Sequence, residues 1–281
     1  MVQTICICGA GTMGSGIAQV SAQSGFHTIL YDLNASMLDK GKASIEKGLS
    51  SLLAKNKITE KEQADIISRI QYVSDLSFCI ADLFIEAIVE KPEAKIALFN
   101  QLAEINHSDA IFATNTSSLS VSQIAKSVMH PKRVLGMHFF NPAPLMKLVE
   151  VVHTEQSDPA VVDTVYQLAM RMGKTPVLCK DAPGFIVNHV ARPYYLEALK
   201  LIEMGVTDIE TIDRIMEATG FKMGPFRLMD LIGNDINYAV SCSVYEQMGK
   251  PERLKPSPIQ QKKVAAGELG KKTGKGYYEY S

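Results

Sequence analysis

The order of short apolar runs and helical patterns over residues 3–179 predicts an α/β fold built on a doubly wound, mostly parallel sheet. The nearly strand-free texture beyond residue 183 predicts an all-α domain behind it. A glycine cluster between the first strand-like run and the first helical one is the third sign, because this architecture turns its chain tightly there.

Strands are expected at Gln3–Cys8, Thr28–Asp32, Ile70–Val73, Leu83–Ile88, Ile111–Thr114, Val134–Met137, Leu148–Val152 and Thr175–Cys179, where β-branched and apolar residues concentrate. Helices are expected between them at about Met13–Ser24, Ala35–Lys55, Thr59–Ser68, Pro92–Ile105 and Asp158–Met172, with a further start near Ser120. Thr59 and Glu62 have capping-box spacing, and Pro92 suits a first helical turn, where its missing N–H costs nothing. Past Asp181-Ala-Pro-Gly184, 3.6-residue periodicity predicts helices at Ile186–Met204, Asp208–Thr219, Leu228–Met248 and Ser257–Ala266, separated by Pro and Gly clusters. The expected domains are therefore 1–183 and 184–281, with a ligand cleft between two such bodies.

Composition narrows the function classes. A hydrophobic content of 46% can supply a sizeable core, and a formal net charge of -1 gives no reason to expect nucleic acid or an acidic membrane as partner. No apolar run approaches the ~20 residues of a spanning helix, and the N-terminus enters a strand without a basic or apolar leader pattern, so a soluble, cytoplasmic protein is expected. Five cysteines, Cys6, Cys8, Cys79, Cys179 and Cys242, are odd in number and show no Cys-x-x-Cys pair, which argues for reduced thiols. Cys6 and Cys8 alternate along the first strand and read as core.

Gly9-Ala10-Gly11-Thr12-Met13-Gly14 follows a strand and opens a helix, the context in which a Gly-x-Gly-x-x-Gly run means dinucleotide binding on a Rossmann-type sheet. The first glycine turns the chain, the second lets backbone approach the pyrophosphate, and the third lets helix pack on strand. Asp32 ends the second strand 18 residues after Gly14, where its carboxylate accepts from ribose hydroxyls and repels a 2′-phosphate. NAD is thus expected rather than NADP; FAD, or a glycine turn holding no nucleotide, are the alternatives.

Hydride transfer from a carbon bearing a hydroxyl needs a base for the hydroxyl proton, and histidine titrates closest to neutrality. His138 sits at the end of a predicted strand, where open α/β sheets bind ligands. Glu150 falls twelve residues later inside an apolar run, a costly place for a carboxylate unless paired. Paired with His138 it would fix the tautomer and stabilise the protonated ring; a solvent-facing glutamate on an edge strand is the alternative. Ser117, in Thr114-Asn-Thr-Ser-Ser118, reads as a hydrogen-bond donor to substrate or as part of a helix cap. Asn188 reads as a residue facing the cleft, or as a cap or surface amide. No His, Cys or Asp grouping has metal-ligand spacing, so no metal is expected.

The stretches GAGTMGSGIAQ, IEAIVE, ATNTSSLS, GMHFFNPAPLMKLVEVV, KDAPGFIVN, MGPFRLMDLIG and KKTGKGYYEY occur in order from about residue 3 to 280. Together they resemble the L-3-hydroxyacyl-CoA dehydrogenase family. The resemblance implies His138 as catalytic base, Glu150 as its orienting carboxylate, and Ser117 and Asn188 as residues positioning substrate and nicotinamide. It implies cofactor contacts from Asp32, Glu90, Lys95, Ser117, Asn141 and Lys272 besides the glycine loop. It also implies an acyl-CoA substrate whose coenzyme A phosphates meet Lys55, with Ser117 touching the substrate, and a homodimer through the helical domain. Two departures stand out: Gly48 replaces a serine that the family uses for coenzyme A, and Arg227 stands where many relatives carry glutamate. Lys47, Lys55 and Lys57 form either a phosphate patch or a solvated helix face. A non-enzymatic NAD-binding sensor or lens-type protein, and a sugar-acid dehydrogenase similar to the L-gulonate 3-dehydrogenases, are the rival readings.

Overall fold

The computed structural model describes residues 2–280. The chain divides into two compact units, the first ending at Asp181 and the second beginning at Ala182.

The first unit carries β1 (Thr4–Cys8), α1 (Thr12–Gln23), β2 (His27–Tyr31), α2 (Ala35–Ala54), α3 (Glu60–Ser68), β3 (Ile70–Val73) and β4 (Leu83–Glu86). It continues through α4 (Pro92–Ile105), β5 (Ile111–Thr114), α5 (Val121–Lys126), β6 (Val134–Phe139), β7 (Leu148–His153), α6 (Pro159–Arg171) and β8 (Thr175–Lys180). These strands form one eight-stranded sheet in the order β3-β2-β1-β4-β5-β6-β7-β8. Every pairing is parallel except β6 with β7. Strand order reverses between β1 and β4, and the carboxyl ends on either side of that point are where a doubly wound sheet receives a ligand.

Alternating residues of β1 feed two cores. Ile5 and Ile7 join Ile17, Leu30, Ile45 and Leu135 on one sheet face, while Cys6 and Cys8 join Phe84, Phe99 and Phe112 on the other. Both faces are covered, so β1, β4, β5 and β6 are almost wholly buried and read as continuous apolar runs rather than alternating ones. The local signals are visible in the backbone: Thr59 and Glu62 close a capping box at the start of α3, and Pro92 opens α4.

The second unit consists of α7 (Val187–Glu203), α8 (Ile209–Ala218), α9 (Pro225–Ile232), α10 (Asn234–Gln247) and α11 (Pro258–Ala265), with short 3-10 turns. The helix expected over Leu228–Met248 is two helices: the apolar period runs through Gly233, but that residue has φ +104°, which ends α9 and restarts the chain as α10. Pro225, read as part of a connecting cluster, is instead the first residue of α9.

Two buried aspartates fasten this unit. Asp213 accepts from the backbone N–H groups of Phe226 and Arg227 at the start of α9 and from the Tyr278 hydroxyl at 2.8 Å. Asp230 accepts from the N–H groups of Tyr277 and Tyr278, the Tyr280 hydroxyl and Asn234 Nδ2. Arg227 lies with its guanidinium 4.3 Å from the centre of the Tyr278 ring and 3.8 Å from Glu217, so this departure has a structural role beside Asp213. Among the described residues no helix is long and apolar enough to cross a membrane.

Candidate active site

The loop between β1 and α1 shows what each glycine does. Gly9 has φ +106°, and a Cβ there would come within 2.6 Å of the Ala87 carbonyl oxygen; on Gly14 one would overlap the Gly9 carbonyl oxygen. Both are glycine because the protein's own backbone fills the space. At Gly11 a Cβ would meet no protein atom within 4 Å, so the space over that residue is open. Gly11 is also the N-cap of α1 and supplies no side-chain cap, so the first-turn N–H groups, including those of Met13 and Gly14, are donors that an anion can take up. These features fit a pyrophosphate.

Asp32, one residue beyond β2, accepts from the backbone N–H of Ala10 at 2.8 Å and from Asn34 N–H at 2.9 Å. The carboxylate is thus aligned by the glycine loop itself and remains half-buried. Its position at the end of the strand follows from β2 pairing in parallel with β1.

At the carboxyl ends of β4 and β5 lies a second charged group. Lys95, on α4, is 1% exposed, and its ammonium is 2.6 Å from Glu86 Oε1 and 3.0 Å from Glu90 Oε2. Glu86 also accepts from the Thr114 hydroxyl at 2.8 Å and from Ile88 N–H. Glu90 accepts from the hydroxyls of Thr116 and Ser118 and from the backbone N–H of Ser117 at 3.3 Å. One ammonium serves two carboxylates with opposite outcomes. Burial raises the Glu86 carboxyl above its usual value despite Lys95, whereas for Glu90 the opposing pull of Lys95 and the hydroxyls overcomes burial and holds the carboxyl low. In sequence, Thr114 and Thr116 belong to the hydroxyl-bearing stretch around Ser117 without being given a partner, and Glu86 is not singled out. The available signal was the one that marked Glu150, a carboxylate inside an apolar strand.

His138 and Glu150 face each other across the antiparallel β6–β7 pair as direct register partners, with Nδ1 2.7 Å from Oε2. His138 lies inside β6, which runs on to Phe139, rather than just past a strand ending at Met137. Glu150 is fully buried, and β7 is flanked by β6 and β8, so the alternative of a solvent-facing glutamate on an edge strand is excluded. With Glu150 ionised, Nδ1–H donates to it and the lone pair sits on Nε2. Phe140 packs on the imidazole with ring centres 4.5 Å apart, and Asn115 Oδ1 accepts from Phe139 N–H at 2.8 Å, tying this end of β6 to the Ser117 loop.

The remaining predicted residues are more scattered. Asn141 is exposed and begins a cis Asn141–Pro142 peptide; the loop after it is held by Lys174, whose ammonium donates to the carbonyls of Ala143 and Met146. Lys55 is an exposed residue at the end of α2. On the same helix Gly48 faces α1, where a Cβ would come within 2.7 Å of Gln19 Oε1. In the helical unit, Asn188 lies in the first turn of α7 and its carbonyl accepts from Arg192 Nε–H at 2.9 Å. Lys272 pairs with both oxygens of Asp235, at 2.6 and 2.7 Å.

Comparison with known proteins gives the same picture from another direction. Residues 4–182 match the family described as 3-hydroxyacyl-CoA dehydrogenase, NAD binding domain, and residues 184–280 match 3-hydroxyacyl-CoA dehydrogenase, C-terminal domain. A 3-hydroxyadipyl-CoA dehydrogenase of Escherichia coli is 45% identical over 99% of this chain, which spans 59% of that relative's length. A probable 3-hydroxybutyryl-CoA dehydrogenase of Deinococcus radiodurans is 41% identical, covering 98% of this chain and 99% of its own. The crystal structure of (S)-3-hydroxybutyryl-CoA dehydrogenase from Ralstonia eutropha superposes with a TM-score of 0.95 at 35% identity, covering 100% of both chains. With its NAD-binding sheet domain and its helical domain each matched along their length, the chain belongs to the 3-hydroxyacyl-CoA dehydrogenase family.

Proposed function

We propose that the chain catalyses reversible oxidation of (S)-3-hydroxyacyl thioesters of coenzyme A to 3-ketoacyl thioesters, with NAD as the redox partner. The 3-hydroxybutyryl thioester is the simplest member of this class and is named for two of the relatives. The observation that carries the reading is the buried His138–Glu150 pair, a general base with its tautomer fixed at the edge where such sheets bind ligands.

His138 Nε2 takes the proton of the 3-hydroxyl in oxidation and returns it in reduction, while Glu150 holds the ring and balances the imidazolium. When bound, NAD supplies the nicotinamide that accepts or returns hydride. Gly9, Ala10, Gly11, Thr12, Met13 and Gly14 hold its pyrophosphate, and Asp32 its ribose. Glu90 orients the Ser117 loop through Thr116 and Ser118, and buried Lys95 acts through Glu90 rather than by reaching the cofactor itself. Ser117 and Asn188 position the reacting oxygens; Asn141 and Lys272 complete the cofactor set on the strength of their motifs. Lys55, aided by Lys47 and Lys57, meets the coenzyme A phosphates, with no serine hydroxyl at position 48 to assist.

The sheet unit acts as the NAD domain, and the helical unit as the substrate and dimerisation domain. Exposed apolar residues such as Val190, Met204 and Val206 support a homodimer through the latter, to be checked by sedimentation. Five free cysteines support a reducing, cytoplasmic setting. The reading is tested by following NADH consumption with acetoacetyl-CoA and with free acetoacetate: turnover should require the thioester, and equal rates on the free acid, or none on either, would remove it.

A further inference from the structure

The interior of the helical unit holds a positive charge that no carboxylate pairs with among the described residues. Arg192, on α7, is 2% exposed. Its Nε–H donates to the Asn188 carbonyl at 2.9 Å, and Nη1 donates to the Asn237 carbonyl at 3.0 Å and to the Ser241 hydroxyl at 2.9 Å. The guanidinium carbon lies 4.9 Å from the centre of the Tyr195 ring. All of these partners are neutral. Burial pulls the guanidinium down to about 10, with no carboxylate opposing it, so it stays charged at neutral pH.

Those bonds use Nε–H and both hydrogens of Nη1, so Nη2 has no protein partner among the described residues. Beside the arginine, Asn237 is 1% exposed and its Nδ2 is a second donor without an acceptor; its Oδ1 accepts from Gln260 at 3.1 Å, and Gln260 Oε1 is itself a buried acceptor without a donor. A clamp between α7 and α10 needs only neutral donors for two carbonyls and a hydroxyl. Burying a guanidinium against neutral acceptors is costly, and leaving an amide N–H₂ unsatisfied adds to that cost. An arrangement rich in donors and lacking an anion is completed by a carboxylate, whose two oxygens match the guanidinium fork.

Arg192 follows Asn188 by one helical turn on the same face of α7, and the two residues are hydrogen-bonded. We propose that Arg192, with Asn237, receives the distal carboxylate of a dicarboxylic 3-hydroxyacyl thioester, making this pair the determinant of acyl-chain class. The proposal rests on the reading above, in which Asn188 contacts the substrate.

The test compares kcat/KM of the full chain on two six-carbon thioesters, 3-oxoadipyl-CoA and 3-oxohexanoyl-CoA, which differ in the terminal carboxylate. The wild type should favour the dicarboxylic thioester by at least ~30-fold, as the loss of one partner of a buried charged pair implies. Arg192→Met should collapse that ratio toward unity, and Arg192→Lys should restore part of it. Equal kcat/KM on the two thioesters in the wild type overturns the proposal without any variant having to fold, and so does an unchanged ratio in Arg192→Met. Turnover of neither thioester overturns the reading of the reaction itself, whereas turnover without preference overturns the carboxylate site alone.

Discussion

His138 and Glu150 are opposite partners on adjacent antiparallel strands, and their side chains meet at 2.7 Å within a buried layer. His138→Gln should lower kcat by at least ~10²-fold, the usual contribution of a general acid–base group. NAD affinity, read by fluorescence titration, should stay within about threefold, because no glycine-loop group is touched. Glu150→Gln should retain the fold and still lower kcat by at least ~10-fold through the wrong tautomer. Near-normal turnover in the first variant would remove His138 from its role.

Asp32 accepts from Ala10 N–H and aligns with the glycine loop. Asp32→Ala should weaken NAD by roughly tenfold or more and narrow the preference over NADPH, because a charged hydrogen-bond acceptor and a repulsive charge are lost together. Steady-state kinetics with both cofactors reads this directly, and an unchanged preference would refute the ribose assignment.

The glycines of the loop separate binding from folding. Gly11→Ala adds a methyl that meets no protein atom, so thermal stability should change by less than about 1 kcal/mol while NAD affinity falls at least ~10-fold. Gly14→Ala drives its methyl against the Gly9 carbonyl and should yield little folded protein. Calorimetry with and without NAD checks both; Gly11→Ala binding NAD normally would contradict a pyrophosphate over that residue.

Lys95 is the shared counter-charge of Glu86 and Glu90. Lys95→Met should destabilise the sheet unit by about 3–5 kcal/mol, since it leaves Glu86 an uncompensated buried carboxylate. Adding Glu86→Gln should recover part of that loss. A single-variant loss below about 1 kcal/mol in urea denaturation would show that the buried pair is not coupled to folding.

Glu90 gives a pH signature. Its carboxyl is held below the ordinary value of 4.5 because Lys95 and the hydroxyls of Thr116 and Ser118 outweigh burial. A carboxylate depressed in the folded state contributes its full stabilisation above the unfolded value and loses it as pH falls through the folded one. The stability difference between wild type and Glu90→Gln should therefore be flat above about pH 5.5 and shrink below it. A difference that grows on acidification would reverse the assigned sign.

Local chemistry was legible in the sequence wherever a few neighbouring residues decide the outcome. The capping box at Thr59–Glu62, Pro92 at the start of α4, and the packing of Gly14 against Gly9 all depend on groups within five residues of one another. Gly233 escaped because apolar periodicity is blind to φ. Glu90 and Lys95 were nameable through the family resemblance, but their grouping with Glu86 escaped for a different reason. Its hydroxyl partners come from the end of β5 and the loop after it, and which strand neighbours which is a property of the assembled sheet. His138 and Glu150 were nameable as a pair, but their direct opposition required the one antiparallel step among the described strands.

Asp213 and Asp230 draw four of their seven hydrogen bonds from the tyrosines at 277, 278 and 280. The segment that carries the KKTGKGYYEY motif is therefore a latch on the helical unit. Deleting residues 277–280 would take three of four hydrogen bonds from Asp230 and one of three from Asp213, so the helical unit should lose stability while the sheet unit keeps its own.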